Sequence, residues 1–198
     1  MLGDTRAALG DADGARAAYE RCDALGWDPE PGRARLLLET DDAAAACAGL
    51  ERSLVGNSWW TLQRQGLLRA HLAVALVEAN RLGEAAQMIA DFERRRDRWP
   101  MPSIRALYEE AKAALSLLRD QTGPALSSLQ LARELWTSIG SRLNAARVRL
   151  DLAILLLRRG DRTGATAEAR AALTCAQELG ARALGDRCHV FLGQVMTD

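Results

Sequence analysis

The sequence predicts an all-α protein, an α-solenoid of antiparallel helix–turn–helix repeats in a single domain. Three observations carry this expectation. Ala, Leu, Arg and Glu dominate while β-branched residues are scarce, a composition that favours helices over strands. Turn-like dipeptides recur at Gly10-Asp11, Thr40-Asp41, Asn80-Arg81, Asp120-Gln121 and Gly160-Asp161, the last four spaced by 40 residues. Each is followed at the same offset by an alanine: Ala15, Ala45, Ala85, Ala125 and Ala165.

The segments around these anchors share one grammar. A leucine-rich stretch precedes the turn, at 33–39, 67–78, 104–118 and 143–158, and an alanine-rich stretch follows it. The alanine-rich stretches end near Gly26, Gly56, Trp99-Pro100, Gly140 and Gly180, where glycine can close a helix in the left-handed conformation. Asp11, Asp41, Ser58, Ser103 and Asp161 stand where an N-cap would satisfy free backbone amides. The units fall at about 1–26, 31–56, 58–99, 103–140 and 141–180, with a terminal helix at 181–196. Paired helices approach closely only if small side chains occupy their crossing, the expected role of Ala73 with Ala85 and of Ala153 with Ala165. Leu72, Leu76, Leu152 and Leu156 then fill the space between hairpins. Around Asp120 the leading helix fits only when slipped by one residue, which predicts an irregular turn there.

Composition narrows the function classes. Hydrophobic residues make up 48% and charged residues 26%, as in a globular chain. The 26 basic and 26 acidic residues cancel, which argues against non-specific nucleic-acid binding. Every basic residue but Lys112 is arginine, as expected of a GC-rich bacterial genome. The longest apolar run, 152–157, is far short of the ~20 residues of a membrane span. The first residues lack the pattern of a signal peptide, so a cytoplasmic protein is expected. Cys22, Cys47, Cys175, Cys188, His71 and His189 are too scattered for a zinc site, and no cofactor is expected.

The stretch LAILLLRRGDRTGATAEARAALTCAQELG, residues 152–180, resembles a tetratricopeptide repeat. Leu152, Ala153, Leu156, Gly160 and Ala165 match by type, with Leu156 where the family usually has an aromatic. Leu72, Ala73, Leu76 and Ala85 match likewise, although Asn80-Arg81 departs from Gly-Asp. The resemblance implies a right-handed superhelix whose concave surface is lined by Leu67, Val74, Leu150 and Ile154. The 40-residue period, with phrases such as ARELWTSIG and AQELG, is similar to the helical arrays of large bacterial LuxR-type ATP-binding transcription regulators. There the array lies between an ATPase and a DNA-binding helix-turn-helix. Here no G-x-x-x-x-G-K-[ST] loop and no basic recognition helix is present. Neither end carries a polar cap, which leads one to expect a segment of a longer array.

These readings converge on a non-enzymatic protein–protein interaction module, a regulatory segment of such a regulator or of a relative. The alternatives are a sensor that binds a small molecule or peptide directly, and a residual enzyme. A scaffold predicts a broad, partly apolar groove. A sensor predicts a closed pocket with convergent polar groups. An enzyme predicts a strongly perturbed titratable cluster in a cleft, and none is expected.

Individual candidates follow. Residues 67–77 and 148–157 are apolar nearly all round, which fits burial among neighbouring helices or, at Leu67, Val74, Leu150 and Ile154, a partner groove or self-association. Adjacent on a helix start, Trp59 and Trp60 can hardly both face one core; structural use on the hairpin surface below is the favoured reading, and contact of Trp59 and Trp60 with a partner the alternative. Trp27, Trp99 and Trp136 are expected to cover seams between units. Arg94, Arg95, Arg96 and Arg98 read as a solvated helix end that complements the dipole, with a phosphate or acidic partner as the alternative. Glu109 and Glu110 are expected to be exposed and to diverge, a poor acid–base couple. Cys188 and His189 fall on different sides of a helix, which leaves Cys175 and Cys188 without an orienting base.

Overall fold

Seven times among the described residues a helix ends on a left-handed residue and the next helix begins at once, at Gly140, at Gly180 and at five turns that share a further pattern. The residues of those five are Gly10, Asp41, Asn80, Asp120 and Gly160, with φ between 55° and 83°. In each case the following amide donates to the carbonyl five residues earlier: Asp11 to Arg6, Asp42 to Leu37, Arg81 to Leu76, Gln121 to Ser116 and Asp161 to Leu156, all at 2.8–2.9 Å. This closure satisfies carbonyls that the helix end would otherwise leave free. Asp and Asn tolerate the left-handed conformation better than other non-glycine residues, so three different residue types make one turn.

The structure, a computed structural model, describes residues 2–55 and 62–197. The described residues form eleven α-helices and no strand, so the chain is all-α as expected. They are α1 (Leu2–Ala8), α2 (Ala12–Ala24), α3 (Gly32–Glu39), α4 (Ala43–Val55), α5 (Leu62–Glu78), α6 (Leu82–Arg94), α7 (Pro102–Leu118), α8 (Thr122–Ser138), α9 (Arg142–Arg158), α10 (Arg162–Leu179) and α11 (Arg182–Thr197). A short 3-10 helix, Arg96–Arg98, lies between α6 and α7. No described helix is long and apolar enough to cross a membrane.

Counting from each of these five residues, the position seven before and the position five after are both small. The pairs are Gly3 and Ala15, Ala34 and Ala46, Ala73 and Ala85, Ala113 and Ala125, and Ala153 and Ala165. All nine alanines are no more than 1% exposed. At Gly3 even a methyl group is excluded, since a Cβ there would lie 2.5 Å from the Tyr19 ring.

Several expectations are corrected by this register. The second turn pivots on Asp41 rather than Thr40, so Ala46 takes the crossing and Ala45 is only half-buried. The cap there is Asp42, whose carboxylate accepts from the Ala45 amide at 3.0 Å. The Asp120 turn is regular, because Asp120 itself adopts the left-handed conformation and no slip is needed. Ser103 is not a cap: α7 begins at Pro102, whose fixed φ suits a first helical position, and Met101 precedes it. Ser58 and Gly56 lie outside the described residues. Asp11 and Asp161 do cap their helices, accepting from Gly14 and Gly164.

Consecutive helices pack as antiparallel hairpins, and α1–α3, α3–α5, α5–α7 and α9–α11 also touch. α11 returns to α1, with Gly10 against Arg182 and Leu9 against Gly180. One apolar core runs from α3 to α9 and a second from α9 to α11. α9 serves both, giving Val148, Leu152 and Leu155 to the first and Ala146, Leu150 and Ala153 to the second. That double burial explains an apolar composition on nearly every side.

Ala125→Leu is expected to lose about 1–3 kcal/mol by overpacking the crossing. Asp120→Gly, which relieves the left-handed backbone, should lose nothing. Urea denaturation of both variants checks the pair, and an Ala125→Leu protein as stable as the parent would refute a tight crossing.

Candidate functional site

On α9, Arg147, Asp151, Ile154 and Arg158 follow one another at the spacing of a single helix face. Leu67, His71, Val74 and Glu78 do the same on α5, and Glu110, Ala114 and Leu117 on α7. These faces meet across the inside of the molecule. Arg147 pairs with Glu39 at the end of α3, a partner 108 residues away in sequence. Between α7 and α9 lies a cavity of about 200 Å³, with Glu78, Glu110 and Asp151 among its polar lining and Ala114, Leu117 and Ile154 among its apolar lining.

The charged groups here are held by few partners. Trp136 on α8 donates its indole N–H to the Glu110 carboxylate at 2.5 Å. Asp151 approaches Arg187 of α11 at 3.9 Å and keeps 43% of its side chain accessible. Burial pushes the Glu110 carboxyl up to about 7, against the Trp136 hydrogen bond and with help from the Asp151 charge. Burial likewise pushes Asp151 up to about 6, partly offset by Arg187 and Arg147. His71 is driven down to about 3 by burial and then by Arg35 and Arg147, which keeps its imidazole neutral. The absence of a perturbed titratable cluster, expected from the sequence, is therefore overturned. Bringing His71, Glu110, Arg147 and Asp151 together from three helices, beside the charge of Arg35, is what shifts these four.

Of the residues expected to line a partner surface, Ile154 lines the cavity. Leu67 and Val74 are half-buried on the same face as His71 and Glu78. Leu150 is corrected: it is 1% exposed and packs with Ala146 and Ala153 in the second core, one position off the inward face. Trp59 and Trp60 lie outside the described residues. Trp99 and Trp136 are buried, as seam residues should be, but Trp27 is 70% exposed, standing in the non-helical connection just after Gly26. Glu109 and Glu110 do diverge, yet neither is fully exposed. Glu109 is buried and pairs with Lys112 at 3.3 Å, while Glu110 lines the cavity. Cys188 is buried and His189 exposed, on different sides of α11. The polar members of the inner face do not stand out in the sequence, where the apolar residues of these helices dominate the pattern. The available signal was a charge recurring at each turn of helices otherwise apolar, as at Arg147, Asp151 and Arg158.

No protein-family model matches the chain, and no curated protein matches it.

Both raised carboxyls bind their protons more tightly in the folded state than in the unfolded one. Their protonation therefore favours folding, and this contribution is lost as pH rises through the folded values. The protein is expected to melt higher below about 4.5 than above about 7 as far as Glu110 controls it. Glu110→Gln should flatten the melting-temperature profile across that window, and an unchanged profile would remove Glu110 from the account.

Proposed function

We propose that the chain is a non-enzymatic binding module, a right-handed superhelical row of tetratricopeptide-like hairpins whose inner face holds a protein or peptide partner. The cavity between α7 and α9 carries this reading. Its three carboxyl groups, Glu78, Glu110 and Asp151, outnumber the one arginine of the lining, Arg158, and stand beside the apolar Ala114, Leu117 and Ile154. That combination receives the aliphatic stem and charged head of a lysine or arginine side chain. At about 200 Å³ the cavity suits one such side chain rather than a whole helix. The resemblance to LuxR-type arrays supports a regulatory role, as a segment of a cytoplasmic bacterial transcription regulator or of a relative. Occupancy of the inner face would be passed to other modules by shifting the packing between hairpins.

A second reading is favoured by the small volume and the grouped carboxyls of the same half-open cavity: a small amine effector in place of the peptide side chain. Fluorescence anisotropy with a labelled basic peptide, with arginine amide as competitor, separates the two. The peptide should bind more tightly as pH rises through about 7, since a deprotonated Glu110 pairs better with a cation. Joint substitution of Glu110→Gln and Asp151→Asn should weaken it by about tenfold or more. Competition by arginine amide at comparable affinity would favour the small effector. Binding indifferent to both substitutions and to pH would defeat both readings.

A further inference from the structure

A second cavity lies on the far side of α5 from these groups, walled by α5, α6, the 3-10 helix and α7. It has a volume of about 120 Å³, room for several water molecules or one tetrahedral oxyanion. Arg69 of α5 and Arg95 and Arg98 of the α6–α7 connection line it together. None of the three makes a side-chain hydrogen bond or ion pair with another described residue. The nearby carboxylates are already engaged: Asp91, also in the lining, accepts from Arg94 and Gln87, and Glu93 pairs with Lys112 at 2.9 Å. The negative end of the α6 dipole offsets only about half a charge. Three convergent guanidiniums therefore keep a positive excess.

Tyr108 adds an observation of a different kind. It lines the same cavity while only 3% exposed, and its ring is clamped by Phe92 at 3.9 Å between centroids. Its hydroxyl makes no hydrogen bond to any described residue and is not sealed from solvent, so it is free to donate to a ligand in the cavity. Arg98 is itself held, with its guanidinium 5.6 Å from the centre of the Trp99 ring. A fixed donor and three unneutralised guanidiniums thus face one small space.

We infer that this cavity is a binding site for a phosphate group, held by Arg69, Arg95 and Arg98 with the Tyr108 hydroxyl as a further donor. Guanidinium forks match phosphate oxygens in geometry as well as charge. The group could arrive as free phosphate or on a phosphorylated side chain, and the chemistry of the site is the same for both.

Titration calorimetry of the full chain with inorganic phosphate, against chloride at equal ionic strength, tests the assignment. The expected result is saturable one-to-one binding to phosphate and none to chloride. Arg69→Gln, Arg95→Gln and Arg98→Gln together should weaken it by about tenfold or more. These side chains are exposed, so the fold should persist, and a melting curve verifies that it does. Tyr108→Phe keeps the stacked ring and should still weaken binding several-fold, an effect that a diffuse basic surface would not show. A phosphoserine peptide that binds more tightly than inorganic phosphate assigns the ligand to a phosphorylated chain, and equal affinities assign it to the free ion. Absence of saturable phosphate binding, or affinity unchanged in either variant, overturns the site.

Discussion

The packing of small, buried residues on both sides of a left-handed turn, repeated in five hairpins, is the constraint on which the rest of this molecule depends. In each of the five a left-handed residue sends the chain back on itself, and the positions seven before and five after it are small and buried. Alanine or glycine occupies all ten. The turn and the crossing are coupled, since moving the left-handed residue by one would bring a larger side chain into the contact. Asp41, Asn80 and Asp120 therefore make the same hairpin as Gly10 and Gly160, even though their side chains share little with glycine. What is held constant is backbone geometry rather than residue identity.

The leading helices α5, α7 and α9 bring Glu78, Glu110 and Asp151 to one cavity. On α9 the outcome is unusual in its economy. Two faces are buried in two different cores, and the third carries Arg147, Asp151 and Ile154 into the interior. A charge placed there cannot be solvated as it would be outside, so it must be paired, neutralised or left with a raised affinity for a proton. All three outcomes occur: Arg147 is paired with Glu39, His71 is neutral, and Glu110 and Asp151 hold their protons more tightly. A core meant only for stability would have filled these positions with apolar residues. Charges kept in such a place suit a face that meets a ligand.

How much of this could be read in advance depends on the range of the interaction. The crossing alanines were legible because they sit at a fixed short distance from a turn. The register at Asp41 was missed because Thr40, Asp41 and Asp42 are all acceptable turn residues and only one of them pivots. At Asp120 the expectation of irregularity came from demanding a glycine-like turn where aspartate suffices. Leu150 and Asp151 are neighbours in sequence but lie about 100° apart on the helix, enough to exchange core for cavity. The pairing of Glu39 with Arg147 and the convergence on Glu110 involve residues tens to a hundred positions apart, and no local pattern encodes them. Arg95 and Arg98 were recognisable as a basic run, but their meeting with Arg69 and with the bare hydroxyl of Tyr108 is a product of packing.

The meeting of α1 with α11 gives the molecule a topology that a simple row of hairpins lacks. In an open row every contact is with a neighbour, and the ends can fray one unit at a time. Here the outermost helices shield each other, so peeling away either one uncovers two surfaces instead of one. The loop joined by that contact spans nearly all the described residues, and its closure entropy makes it the last contact to gain from folding. Assembly can thus begin in any hairpin, but completion belongs to the seam.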